Sequence, residues 1–306
     1  MNKPLISYVV TAYNIENYIA ESIECAFAQT YSPLQIVLSD DCSTDRTFEI
    51  MQRMAQNYTG PHLITLNRNE RNLGITEHMN KAYMELAQGE IIIAAHGDDI
   101  SKPERTELSY KYLKEYSNVT ALSFSIQAVD ENGNNLTSHS AIVDKVHFYD
   151  FKGGANIPAP SRAFYKNVMS VFGPLNKECP TEDELISFRA LLLGKNAFFP
   201  EIMVKYRKHS RSSSNPENFE RFPLDKILEQ QNDDMKKAIQ MGLITETEKE
   251  NKYRQLERMT QIRKKYRVYF SSRKIQDLFK LVIYDKVPFK LKLHYIKEHL
   301  EYLKSI

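Results

Sequence analysis

The chain contains the stretch Ile91-Ile92-Ile93-Ala94-Ala95-His96-Gly97-Asp98-Asp99, an apolar run that ends on two adjacent carboxylates. A short continuous apolar run rich in β-branched residues reads as a strand buried on both faces. Gly97 frees the backbone to turn as it leaves the sheet. Two neighbouring carboxylates repel, and burying them is costly unless a cation neutralises them. A hard divalent metal that also binds phosphate oxygens is the usual partner. An ordinary surface turn also accommodates Asp-Asp, so the surrounding sequence has to decide.

Upstream of this stretch, strand and helix signals alternate. Residues 5–11 form a β-branched run, and 16–29 carry Ile19, Ile23, Ala26 and Phe27 at helical spacing. Residues 35–39 read as a second strand ending at Asp40-Asp41, and Ser43 or Thr44 is placed to cap a helix bearing Phe48, Met51 and Met54. A third strand is expected at 62–66, a helix at 76–87 stopped by Gly89, the fourth strand at 90–95 and a helix at 104–116. Such alternation implies an α/β fold with a mostly parallel, Rossmann-like central sheet flanked by helices. Ligands collect at the carboxyl ends of such strands. Those ends carry Thr11-Ala12-Tyr13-Asn14, Asp40-Asp41 and Gly97-Asp98-Asp99, which should meet in one crevice.

Further along, 119–129 reads as a strand followed by the turn Asp130-Glu131-Asn132-Gly133. Residues 161–169 read as a short helix, 182–193 as a helix ended by Gly194, and 196–206 as another strand. Past about residue 219 strand signals cease, and helices are expected through 266 and again within 287–304. The expected division is therefore 1–215 and a helical extension, 216–306.

The 306 residues suffice for one large domain with an appendage. The net charge of +2 hides an asymmetry. Residues 245–306 hold 16 Lys+Arg against 8 Asp+Glu, a net +8, whereas the preceding part is net −6. Cys25, Cys42 and Cys179 are too scattered for a disulfide framework or a zinc pattern, and read as free thiols of a reducing cytoplasm. The start, Met1-Asn2-Lys3-Pro4, leads directly into a strand, so no signal peptide is expected, and no apolar run nears the roughly 20 residues that span a bilayer. The expected location is cytoplasmic, with peripheral contact to the inner face of the membrane left open.

Four elements, in order, resemble family 2 glycosyltransferases with the nucleotide-sugar-binding GT-A fold: Val10-Thr11-Ala12-Tyr13-Asn14, Ser39-Asp40-Asp41-Cys42-Ser43-Thr44-Asp45, Gly97-Asp98-Asp99 and Thr181-Glu182-Asp183. A fifth, Tyr206-Arg207-Lys208-His209 followed by serines, is similar to the segment that closes the catalytic domain in many relatives. The resemblance spans roughly residues 4–215. It implies an inverting transfer of sugar from a nucleotide sugar, most readily a UDP sugar, to a hydroxyl of a glycan or lipid-linked glycan. Bacterial surface polysaccharide assembly, such as capsule or O-antigen, is the implied setting.

The resemblance also assigns roles. Asp41 would accept the ring N–H of uracil, Asp98 would reach the ribose or share the ion, and Asp99 would bind Mn2+ or Mg2+. Asp183 would remove the acceptor proton, and His209 would contact the diphosphate. His96 stands where many relatives carry a further acidic residue, which leaves the ligand set open and favours manganese if it binds. From the residues themselves, Tyr13 offers a flat face to a base or is a core tyrosine, and Thr11 and Asn14 offer polar groups to the base edge. Asp45 suits a helix cap better than a ligand contact. A carboxylate at a helix start is favoured by the dipole, so Glu182 or Glu184 are alternative bases to Asp183, and Thr181 with Glu184 would form a capping box. Lys208, His209 and Arg211, and also Arg68 and Arg71, are candidate cations for phosphates or solvated basic loops; Gly153-Gly154 is an acceptor loop or a simple turn.

Other readings compete. A sugar nucleotidyltransferase needs a glycine-rich phosphate loop after the first strand, where this chain has Tyr13-Asn14-Ile15-Glu16. A non-catalytic nucleotide-sugar-binding module that retains the fold is another reading, and intact Asp41, Asp98, Asp99 and Asp183 speak against such decay. The basic tail, with Arg263-Lys264-Lys265-Tyr266-Arg267 and 286–297, suits an anionic membrane surface, a homodimer contact or a solvated helical face. No nucleic-acid motif accompanies it, and nucleic acid is not an expected partner.

Overall fold

A computed structural model describes residues 3–138, 140–153, 157–179, 182–209, 223–284 and 287–305. The chain divides into two compact units, Met1–Ser212 and Ser213–Ile306.

In the first unit β1 (Ile6–Ala12) and β2 (Leu34–Asp40) are buried along their whole length, as the unbroken apolar runs require. Helix α1 (Ile19–Phe27) links them, and α2 (Thr47–Gln56) leads to β3 (Leu63–Arg68). Helix α3 (Ile75–Asn80) continues as a wider π-helical turn, Lys81–Leu86, before β4 (Ile91–His96). Then follow β5 (Ile100–Ser101), α4 (Arg105–Glu115), β6 (Val119–Val129), β7 (His147–Tyr149), β8 (Ala163–Tyr165), α5 (Asn167–Ser170), α6 (Glu182–Leu193) and β9 (Lys195–Arg207). The nine strands form one sheet in the order β3-β2-β1-β4-β8-β6-β9-β5, with β7 also on β9. Pairs β3/β2, β2/β1, β1/β4 and β6/β9 are parallel; β8, β5 and β7 pair antiparallel. The expected α/β architecture, a GT-A sheet with helices at its flanks and a helical C-terminal part, is the one observed.

Register fixes where the strands end. Thr11 lies beside Ser39 on one side and His96 on the other, and Asp40 lies between Ala12 and Arg68. Four carboxyl ends are therefore level, and the polar residues that follow them share one edge of the sheet. Gly97 leaves room there for neighbouring side chains: a Cβ would stand 2.5 Å from Ile15 Cδ1 and 2.8 Å from Ile19 Cδ1.

Two local expectations are corrected. The segment 161–169 is α-helical only at its end, in α5 from Asn167: Ala163-Phe164-Tyr165 is β8, pairing Ile92 with Phe164 on one side and Ala121 with Phe164 on the other. Its backbone joins β4 to β6, satisfying strand edges that would otherwise be buried unpaired. Nor do Ser43 and Thr44 cap α2. The helix begins at Thr47, whose N–H donates to Asp45 Oδ1 (2.9 Å), while Ser43 turns inward onto Asp40.

The second unit comprises α7 (Leu224–Gln240), α8 (Glu246–Ser272), α9 (Ile275–Val282) and α10 (Phe289–Ser305). Helix α8 starts with a capping box between Thr245 and Glu248 and ends at Arg273 in the left-handed region (φ +50°). The sequence pattern foresaw helices here but neither the length of α8 nor a separate α9. A cluster of Ile262, Tyr269, Leu278, Leu281, Val287 and Tyr295 joins the last three helices. Among the described residues, no helix is long and apolar enough to cross a membrane.

Candidate active site

The turns after β1 and β2 are latched together. Asn14, at φ +53°, donates its N–H to Ser43 Oγ (2.9 Å) and accepts from the Thr44 N–H at Oδ1 (2.8 Å). Ile15 N–H donates to Thr47 Oγ1 (2.9 Å) and Glu16 N–H to Asp45 Oδ2 (3.1 Å). Asn14 and Asp45 thus hold the two turns together, and Tyr13 stands beside them, 44% exposed. Thr11 lies deeper, at the end of β1.

Asp41 is buried and accepts three hydrogen bonds: Asn69 Nδ2 (2.8 Å) and Leu73 N–H (2.9 Å) on Oδ1, and Gly74 N–H (3.0 Å) on Oδ2. It ties the loop 69–74 to the end of β2. A carboxylate has about four acceptor positions, so one remains for a ring N–H. Arg71 rides on that loop, exposed, with Glu77 3.7 Å away. Arg68, in contrast, is engaged: it donates to Ser43 O (2.9 Å) and lies over the Phe48 ring. Behind Asp40 and Asp41, His78 Nε2 meets Ser39 Oγ at 2.8 Å. Burial pushes the His78 imidazole down, against the pull of the Asp41 and Asp40 charges. Sequence reasoning gave no role to Ser39, Asn69 or His78. No periodicity marks a histidine on the inward face of a short helix.

At the Gly-Asp-Asp turn the two carboxylates diverge. Asp98 remains partly exposed and its Oδ2 is 3.0 Å from His209 Nε2. Asp99 is buried; Oδ1 accepts the Arg207 N–H (2.9 Å) and Oδ2 has no hydrogen-bond partner. Burial and the Asp98 charge raise the Asp99 carboxyl well above the usual range. For Asp98, burial acts upward but is outweighed by the His209 hydrogen bond and nearby His96, so it is held below that range. Burial and charge thus push the two neighbouring carboxyls in opposite directions.

Arg207 is the buried organiser of this corner. Beyond its N–H it donates from Nε to Asp98 O (3.0 Å), from NH1 to Glu131 O (2.8 Å) and from NH2 to Glu21 (2.5 Å), with Tyr18 under its guanidinium. It lies in the quoted Tyr206-Arg207-Lys208-His209 segment, but nothing in the sequence distinguished it from Lys208. The Tyr18 ring also stands 4.9 Å from that of His209. A cavity of about 170 Å³ opens here between Asn14–Tyr18, Glu131 and His209.

Helix α6 opens on Glu182 and Asp183; Asp183 Oδ1 accepts the Glu184 N–H (2.8 Å). Thr181, and with it the expected capping box, lies outside the described residues, as do Arg211 and Gly154. Glu182 is buried, and burial together with the Asp183 charge pushes it up to about 8, partly offset by Arg162. Burial lowers the His96 imidazole; the charges of Asp98 and Asp183 both act on it in the opposite sense. His96 thus lies within electrostatic reach of both carboxylates, and residues 96, 98, 183 and 209 share one neighbourhood.

Among the described residues no group of three or more His, Cys, Asp or Glu side chains is arranged to hold a metal. Magnesium, however, is commonly held by one or two carboxylates together with substrate phosphates. The unpartnered Asp99 Oδ2 and the partly exposed Asp98 carboxylate are donors of that kind, and neutral His96 adds a nitrogen. The residues fit such an ion.

This sheet, with its acidic carboxyl edge, defines the class as a GT-A glycosyltransferase. Residues 7–172, just over half of the chain, match the model described as Glycosyl transferase family 2, and the chain belongs to that family. It is 28% identical to a Haemophilus influenzae protein described as an uncharacterized glycosyltransferase, over 76% of this chain and 74% of that one. It is 29% identical to Escherichia coli chondroitin synthase over 44% of this chain, a match that spans only 19% of the synthase. Among solved structures, S. aureus TarS 1–349 in complex with UDP superposes with a TM-score of 0.66 at 18% identity, covering 96% of this chain and 87% of that one. The same protein is also solved with UDP-GlcNAc. At that identity the likeness shows the shared fold.

Proposed function

We propose that the chain is an inverting glycosyltransferase that takes a hexosyl group from a UDP sugar and passes it to a hydroxyl of a glycan or lipid-linked glycan. The setting is surface polysaccharide assembly in the cytoplasm, with residues 1–215 as the catalytic unit and 216–306 as a separate helical extension. Chondroitin synthase among the relatives, and UDP and UDP-GlcNAc complexes of a structural neighbour, support the choice of glycan and donor. What supports the reading is that Asp98 meets His209, that the charges of Asp98 and Asp183 both act on His96, and that the strands ending at Asp40 and His96 finish level on one edge of the sheet.

In this mechanism Tyr13 stacks on the base, Thr11, Asn14 and the spare acceptor position of Asp41 read its edge, and exposed Arg71 closes over the nucleotide. Asp98 reaches the ribose, His209 approaches the diphosphate, and the two aspartates, with His96, would hold Mn2+ or Mg2+. Bound there, the ion supplies positive charge to the departing diphosphate. The acceptor oxygen attacks the anomeric carbon from the side opposite that leaving group, so configuration inverts. As the new C–O bond forms, the old one breaks, UDP leaves with the electron pair, and Asp183 takes the acceptor proton. Glu182, held up to about 8, stays neutral beside it and spares Asp183 a second adjacent charge.

The test is UDP release from a panel of UDP sugars with manganese and a polysaccharide-derived acceptor, with the product anomer read by NMR. Metal-dependent release with inverted configuration is expected. Binding without release by any donor and acceptor would indicate a binding module instead.

A further inference from the structure

Helix α9 exposes Ile275, Phe279 and Ile283, spaced four apart, and α10 exposes Phe289, Leu293 and Leu300 on one stripe. Phe279 and Phe289 are 64% and 72% exposed. These are not fringes of the core, because the inner faces of the same helices already bury Leu278, Leu281 and Tyr295 against α8. Each helix is thus apolar on two sides, one of them turned to solvent. Exposed apolar stripes of this kind mark an interaction site.

Among the described residues, the fully exposed charges around the stripes are of one sign. Lys274, Lys280, Lys290 and Lys297 are exposed, whereas the acids of the described segment turn inward. Asp277 accepts from Ser272 Oγ (2.7 Å) and Lys280 (3.0 Å), and Glu298 accepts from Tyr266 (2.9 Å) and Arg273 (2.8 Å). Along α9 and along α10 up to Leu300, no described exposed residue is acidic. A second copy of the chain is a poor occupant, because a two-fold contact would set these lysines against their own kind. An anionic bilayer satisfies both features: apolar side chains enter the acyl boundary, while lysines extend to the headgroups.

We propose that the outer faces of α9 and α10 dock this protein peripherally on anionic lipid, lying in the interface rather than crossing it. This stands independently of the transferase reading. The test is flotation of the full chain with phosphatidylcholine vesicles, with and without phosphatidylglycerol, at low and high salt. Phe279 and Phe289 are changed to Gln in one variant, and Lys274, Lys290 and Lys297 to Gln in a second. Binding is expected only with phosphatidylglycerol, weakened by salt, and reduced at least about tenfold in each variant, with circular dichroism and melting unchanged. Equal binding to neutral vesicles, or undiminished binding by the Phe variant, would overturn the proposal. So would failure to float combined with a dimer, seen by sedimentation, that the Phe variant abolishes.

Discussion

Glu182 and Asp183 are neighbours at the start of α6, yet one is buried and the other half-buried, and that difference separates their chemistry. Replacing Asp183 with Asn keeps the shape and removes the proton acceptor. Turnover should fall by about a hundredfold or more, with the donor dissociation constant nearly unchanged by calorimetry. Glu182→Gln mimics the protonated carboxyl and should retain most of the turnover. Its signature is in stability instead. Between 4.5, where the unfolded carboxyl titrates, and about 8, the folded chain holds a proton that the unfolded chain has lost. Rising pH through that window therefore erodes stability, by on the order of a few kcal/mol. Urea midpoints measured across it should fall in the wild type and flatten in Glu182→Gln. A parallel decline in the variant would assign the effect to other groups, of which Asp99, also raised, is the first candidate.

Elements are aligned by contacts far apart in sequence, and Asp41 shows the consequence. Its carboxylate fastens two backbone N–H groups and one side-chain amide of the loop 69–74 to the end of β2. In Asp41→Asn one acceptor becomes a donor facing N–H groups. A loss of roughly 1–3 kcal/mol in stability is expected, together with weaker UDP binding, as checked by urea unfolding and by titration with UDP. Much of this edge was legible beforehand. Buried parallel strands announce themselves as unbroken β-branched runs, and the residues that end them fall at the ligand edge by topology alone. Three residues of β8 leave no such trace: Ala163-Phe164-Tyr165 fits a helical turn as well as a strand, and only unpaired edges of β4 and β6 decide between them. Nor could spacing reveal that Arg207, on the last strand, grips the Asp98-Asp99 turn, because that contact exists only once β9 pairs beside β5 and β6. What sequence carries poorly is long-range hydrogen bonding by single polar side chains.

On the scale of the whole molecule, the chain divides into two units, each with its own apolar cluster, and the basic excess of residues 245–306 lies within the second. Units with separate cores commonly melt in separate transitions. Ligands then act as labels. A ligand that binds only the folded form adds about 2.7 kcal/mol at a hundredfold excess over its dissociation constant. For a domain of roughly 150–250 residues, that corresponds to a rise of about 5–10 °C in Tm. In calorimetry of the full chain, a UDP sugar with manganese should move one transition only, and Asp41→Asn should blunt that shift. Chelating the manganese should reverse most of it, because Asp98, Asp99 and the diphosphate would each lose their counter-charge. Vesicles containing phosphatidylglycerol should move the other transition and leave the first in place. If UDP sugar raised both together, the two units would unfold as one cooperative fold.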